Sequence, residues 1–205
     1  VPGGGTALLR VVDPLEAAAA EATGPEQVGM RLLARALEEP CRQLARNART
    51  IFTNRTFSAY AVVFTITYAG LFFFLSASAF VLIEVLRVRP QDFGLWFIIP
   101  VAGNFVGSFV CARLTRRFAL PTLLGVGAGC AFGGGLLMLA LAAAGVAHPL
   151  AIVGPMMLYL FGHAFINPIC LAAAVAPFPK IAGTASALLA GPQLVFAALV
   201  GQLFI

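Results

Sequence analysis

The stretch SAYAVVFTITYAGLFFFLSASAFVLI, running from Ser58 to Ile83, contains no Asp, Glu, Lys or Arg. A bilayer's hydrocarbon core is about 30 Å thick, and a helix rising about 1.5 Å per residue crosses it with about 20 apolar residues. In lipid every backbone N–H and C=O must find its partner within the protein, which a helix achieves alone and an isolated strand cannot. A barrel strand would be shorter and would alternate polar with apolar, and this run does neither. The stretch therefore predicts a transmembrane helix. Four more apolar runs follow after short polar or charged connections: Phe93 to Ala112, Ala119 to Ala147, Leu150 to Phe178 and Thr184 to Ile205. The expected fold class is an all-α membrane protein of about five transmembrane helices, preceded by a short soluble helical segment.

Composition agrees. Of 205 residues 60% are hydrophobic and 10% charged, with a mean hydropathy of +0.96, whereas soluble domains carry about a quarter of their residues as charged. Residues 1 to 49 hold six arginines balanced by six acids. The remainder sets seven basic residues against Glu84 and Asp92, and the whole has a net charge of +5. Nucleic acid is not an expected partner, because binding phosphates needs a continuous solvated basic face and these cations are scattered between apolar runs. Cys41, Cys111, Cys130 and Cys170 are far apart. They have neither metal-ligand nor redox spacing and read as packing residues.

The basic residues also predict orientation. Arg49 and Arg55 precede the first span, Arg113, Arg116 and Arg117 follow the second, and Lys180 follows the fourth, all on one side. The positive-inside rule makes that side cytoplasmic, N-terminus included. The sequon Asn54-Arg55-Thr56 then lies on the cytoplasmic side and reads as chance. No secretory signal opens the chain, and a first residue Val1 together with a last run Gln202-Leu203-Phe204-Ile205 reads as a piece of a longer protein.

Residues 1 to 48 behave differently. A glycine run, Gly3-Gly4-Gly5, leads a helical stretch to about Ala22, and a Gly24-Pro25 break precedes a second helix to about Asn47. At about 100° per residue Arg31, Arg35, Arg42, Arg46 and Arg49 of the second helix share a narrow arc opposite Met30, Leu33, Leu37, Cys41 and Leu44, with Pro40 a possible kink. A solvated arginine face is the plain reading. Contact with anionic lipid is the sharper one.

Nothing in the spans predicts an enzyme: no Asp or Glu follows Asp92, and no nucleophile has a base and an orienter. What remains is a sparse set of polar groups at membrane depth, costly unless they face another helix or water. His163 and Asn167 are four apart and share a helix face, and Pro168 frees a carbonyl one turn back. They either bind helices together by hydrogen bonds or form a site in which His163 carries a proton. Tyr68, Asn104 and Gln193 are further candidates for lining a path. Gly103-Asn104-Phe105-Val106-Gly107 and Gly125-Val126-Gly127-Ala128-Gly129, continued by Gly133, Gly134 and Gly135, predict close helix contacts. Arg113, Arg116 and Arg117 fix topology or act as a charged cytoplasmic latch. No metal site is expected.

From Phe52 to Ile205 the sequence resembles the bicyclomycin-resistance type of drug:proton antiporter in the major facilitator superfamily. The resemblance is carried by Asn54-Arg55-Thr56-Phe57, Ala69-Gly70-Leu71-Phe72, Leu75-Ser76, Phe80-Val81-Leu82-Ile83, Phe93-Gly94, Ala112-Arg113-Leu114, Asn167-Pro168, Ala176-Pro177-Phe178-Pro179, Gly183, Ser186-Ala187 and Gln193. It implies the seventh to eleventh of twelve helices. It further implies export of hydrophobic drugs driven by inward proton flow across a bacterial inner membrane, membrane lipid as partner, no bound cofactor, and little transport by this portion alone. Ala79 stands where that family usually has a proline. Residues 1 to 48 resemble a piece of the equatorial domain of a bacterial group I chaperonin, through Val1 to Arg10, Gln27-Val28-Gly29, Ala34, Leu37-Glu38-Glu39-Pro40 and Arg42-Gln43-Leu44. In the parent chaperonin ATP would lie against the triple glycine, here Gly4, but the catalytic acids are absent and folding activity is not expected to survive. Two incomplete resemblances meeting over residues 49 to 57 without a linker read as a chimera.

Overall fold

The computed structural model describes residues 4–202, with the surroundings of side chains 4–9, 40, 41, 197, 198 and 200–202 outside the description. The expected kink at Pro40 and packing role of Cys41 therefore lie outside the described residues. The chain divides into two compact units, Val1–Asn54 and Arg55–Ile205.

In the first unit α1 (Gly4–Glu21) and α2 (Pro25–Phe52) pack on each other and are separated by Gly24. The φ of Gly24 is +72°, a left-handed conformation that costs glycine nothing. Pro25, whose missing N–H is no loss at a helix start, opens α2. Val12, Ala19 and Ala34 are buried, and the five arginines of the predicted arc are all exposed. Two of the five pair with acids of their own helix, Arg42 with Glu38 at 2.8 Å and Arg46 with Glu39 at 3.6 Å. The opposite face is only partly covered, since Leu33 and Leu44 remain more than half exposed. Helix α2 does not stop near Asn47. It runs on to Phe52 through part of the expected junction, and the hydroxyls of Thr50 and Thr53 donate back to the carbonyls of Arg46 and Arg49.

The second unit contains α3 (Arg55–Ala79), α4 (Phe93–Leu114), α5 (Leu120–Ala143), α6 (Leu150–Val175) and α7 (Ala182–Gln202). Helix α3 continues into a π-helical segment, Phe80–Val85, and a 3₁₀ turn, Pro179–Ile181, precedes α7. Among the described residues α3 with its extension, α4, α5 and α6 are long and apolar enough to cross a membrane. The fifth expected span is helical, as α7, but over its described residues it is not among those four. The third span ends at Ala143 rather than Ala147 because Gly145, at φ +70°, reverses the chain. The N–H of Gly145 reaches the Ala142 carbonyl and that of Val146 the Leu141 carbonyl, a Schellman stop. The fourth ends at Val175, three residues early, before Pro177.

Helix α6 organises this unit. Half of its span is buried, against 22% for α3 and α4 and 17% for α5. Helices α3, α4 and α5 all pack on it and scarcely on one another, while α7 lies mainly along α3. Glycines permit the approach. A Cβ on Gly107 of α4 would stand 2.6 Å from the Phe161 carbonyl oxygen, and one on Gly134 of α5 2.7 Å from that of Pro155, separations no side chain tolerates. Of the expected run on α5, Gly127 and Gly134 make the contact and Gly125, Gly129 and Gly133 do not. Those last three look into open space, as does Gly135. At about 100° per residue Gly127 lies about 160° round the helix from Gly125, whereas Gly134, seven residues on, returns to the side of Gly127. Leu123, on that same side, closes a cluster with Cys111, Phe165 and Ile169.

At Ala79, where the resembling family usually has a proline, α3 passes directly into the π-helical segment. Without a proline the helix widens: the N–H of Leu86 reaches back to the Val81 carbonyl and that of Val88 to Leu82. Arg87 then turns the chain at φ +55°, a conformation uncommon outside glycine.

Candidate functional site

Three polar side chains of α6, Tyr159, His163 and Asn167, recur every fourth residue and so form one row along a single face. The row faces α3. The Tyr159 hydroxyl donates to the Thr67 carbonyl at 2.7 Å, and the Asn167 amide donates to the Tyr68 hydroxyl at 3.0 Å. Between them the His163 ring meets that of Tyr68 edge to face, with centroids 4.9 Å apart. Phe64 and Phe72, one turn to either side of Tyr68, flank it at 5.1 and 6.1 Å. Gly70 lies where the Tyr159 ring needs room: a Cβ there would collide with the phenol.

His163 is the anomaly in this row. It is 3% exposed, and its Nδ1 has no hydrogen-bond partner among the described residues. Leaving such an atom unsatisfied costs about 1 to 3 kcal/mol, and more than nine in ten buried polar groups avoid it. A neutral Nδ1 can accept a hydrogen bond, and a protonated one can donate. The Tyr68 hydroxyl, already accepting from Asn167, still has its own proton to donate. The row can thus present one acceptor and one donor to a molecule lying between helices. Arg, Lys, Asp and Glu are absent from residues 56–83, 93–112 and 118–179, so the histidines, tyrosines and cysteines are the titratable side chains of these stretches, and Tyr68, Tyr159 and His163 are those of the polar row and its α3 partners.

Asn167 also looks the other way. With Pro168 it borders a groove of about 690 Å³ whose opposite wall is a polar row on α4, Asn104, Ser108 and Thr115. The structure therefore brings Tyr68, His163 and Asn167 together where α3 meets α6, and places Asn167 and Asn104 on the same groove between α6 and α4. Gln193 is not brought into that groove. It sits half-buried on α7, and its side-chain oxygen has no hydrogen-bond partner among the described residues. Arg113, Arg116 and Arg117 are exposed at the far end of α4, around a concavity of about 520 Å³. Gly4 is the first residue of α1. Tyr159, Ser108 and Thr115 extend the candidates. Tyr159 continues the spacing of His163 and Asn167 by one turn, and Ser108 stands one turn from Asn104, so the same four-residue count would have found both.

Residues 35–202, well over half of the chain, match the MFS/sugar transport protein family. The match enters α2 upstream of Phe52 and takes in residues 35–48 of the stretch expected to be chaperonin-like; no comparison supports a chaperonin-like segment. Multidrug resistance protein D of Escherichia coli (strain K12) is 30% identical over 159 residues, covering 78% of this chain and 40% of that protein. A bicyclomycin resistance protein homolog of Haemophilus influenzae is 25% identical over 166 residues, again 78% of this chain and 40% of the relative. The chain thus spans about two fifths of the length of these relatives. With that match and a set of membrane-length helices packed around α6, the chain belongs to the MFS/sugar transport protein family, membrane transporters of the major facilitator superfamily.

Proposed function

We propose that the chain carries part of a multidrug efflux transporter that exports hydrophobic small molecules in exchange for protons across a bacterial inner membrane, with its N-terminus in the cytoplasm. The observation that carries this reading is His163, a buried imidazole whose Nδ1 has no partner among the described residues, on the helix against which α3, α4 and α5 all pack. An imidazole can take up and release a proton, and no carboxylate lies in the facing stretches to compete with it. Tyr68 supplies an aromatic wall and a hydroxyl, and Asn167 and Asn104 orient the polar end of a substrate, while Gln193 of α7 stands outside that groove. An alternating-access cycle needs the rest of a transporter of the relatives' length, so this chain binds substrate and does not pump it alone.

A hydrophobic cationic dye titrated into the detergent-solubilised chain, followed by fluorescence polarisation, tests the reading. Loss of one buried hydrogen-bonding partner costs about 1.4 kcal/mol, so His163→Ala and Asn167→Ala should each weaken binding about tenfold. Binding unchanged in both variants would remove the polar row from the path. Residues 1–48 contribute no chaperonin activity in this reading; recovery of the chain from the cytosol in a ring complex would reverse that assignment.

A further inference from the structure

Helix α4 ends in a basic turn with no acid to answer it. Arg113, Arg116 and Arg117 line a concavity of about 520 Å³ together with Phe109, Ala112 and Leu114. None of the three arginines has a carboxylate partner among the described residues, and the second unit's acids, Glu84 and Asp92, lie at the opposite end of the α4 span. Backbone groups of the turn satisfy one another: the N–H of Arg117 and that of Phe118 both reach the Leu114 carbonyl. The guanidinium groups are therefore left free as donors. A basic residue in the last turn of a helix complements its dipole, but that accounts for Arg113 alone, since Arg116 and Arg117 lie beyond the helix end.

The depth of this turn is fixed by its neighbours. It joins two membrane-length helices, α4 and α5, by five residues, 115–119, and so must lie at the bilayer surface. The concavity is graded accordingly, with cations at its mouth and Phe109, 65% exposed, one turn deeper on the span side. Planar guanidinium groups bind phosphate oxygens in pairs, and an aromatic ring beneath them suits a hydrocarbon chain. We propose that this concavity binds the phosphodiester headgroup of an anionic membrane phospholipid, with the arginines on the phosphate and Phe109 against the upper acyl chain. The proposal rests on the chain lying in a membrane and not on drug export.

Native mass spectrometry of the full chain, released from mixed micelles of phosphatidylglycerol and phosphatidylcholine, counts retained lipid. Preferential retention of phosphatidylglycerol is expected. Each cation near an anionic surface is worth about fivefold, so Arg116→Gln with Arg117→Gln should reduce the preference about tenfold or more, whereas Arg116→Lys with Arg117→Lys should keep most of it. Equal retention of the two lipids, or a preference unchanged in the glutamine variant, overturns the proposal. So does its abolition by millimolar inorganic phosphate, which would mark a free-anion site. If the glutamine variant does not fold, the wild-type chain decides: a preference that persists undiminished at high salt is not electrostatic and defeats the assignment.

Discussion

A Cβ placed on Gly107 would stand 2.6 Å from the Phe161 carbonyl oxygen, whereas one placed on Gly129 meets nothing within 4 Å. The two residues sit in similar small-residue runs, yet their substitution should differ sharply. Gly107→Val has to push α4 away from α6 and is expected to cost 2 kcal/mol or more by the usual scale of overpacking (about 1 to 3), while Gly129→Val should stay within about 0.5 kcal/mol. Thermal unfolding of the solubilised variants measures both. Tyr159→Phe removes only the hydroxyl that reaches the Thr67 carbonyl, and a hydrogen bond between membrane helices averages about 0.6 kcal/mol, so a small loss is expected in the same assay. At this scale the candidate site was half legible. His163 and Asn167 stood out because four-residue spacing puts two polar groups on one face. Tyr159 lies on the same four-residue count, but its partner does not: that is a backbone carbonyl 92 residues away, which no pattern of side chains encodes. The glycine register was hidden for a related reason: Gly125-x-Gly127-x-Gly129 offers two opposite faces, and only the position of α6 selects between them.

Spans are the best-determined elements, since length and apolarity follow directly from the thickness of lipid and leave little for tertiary packing to change. Their ends were set by finer chemistry, the left-handed Gly145 after α5 and the π-helical exit from α3. That exit makes a prediction at Ala79. A proline inside a helix usually costs about 3 kcal/mol, partly by orphaning the carbonyl four residues back. Here that carbonyl belongs to Leu75, and the Ser78 hydroxyl already donates to it at 3.1 Å. Ala79→Pro should therefore cost clearly less than a proline placed mid-span, for example Ile66→Pro, when the two are compared by thermal unfolding. Helix α2 runs past Asn47 to Phe52, and the hydroxyl contacts of Thr50 and Thr53 with the Arg46 and Arg49 carbonyls at that end are visible only in three dimensions.

As a whole molecule, the chain is expected to sediment with membranes and to stay there through alkaline carbonate washing, since four described helices each carry a membrane-length apolar run. Release of the intact chain by carbonate would contradict the spans. The packing around α6 bears on how such a molecule is made. A ribosome adds about 5 to 20 residues each second, so α3, α4 and α5 leave it well before α6, the helix on which each of them packs. Until Leu150–Val175 has been synthesised those earlier segments have almost nothing to hold one another, and quality-control proteases meet them unassembled. A nascent chain halted at Ala147 should accordingly be destroyed much faster in a pulse-chase than one halted at Pro179, although the two differ by a single helix.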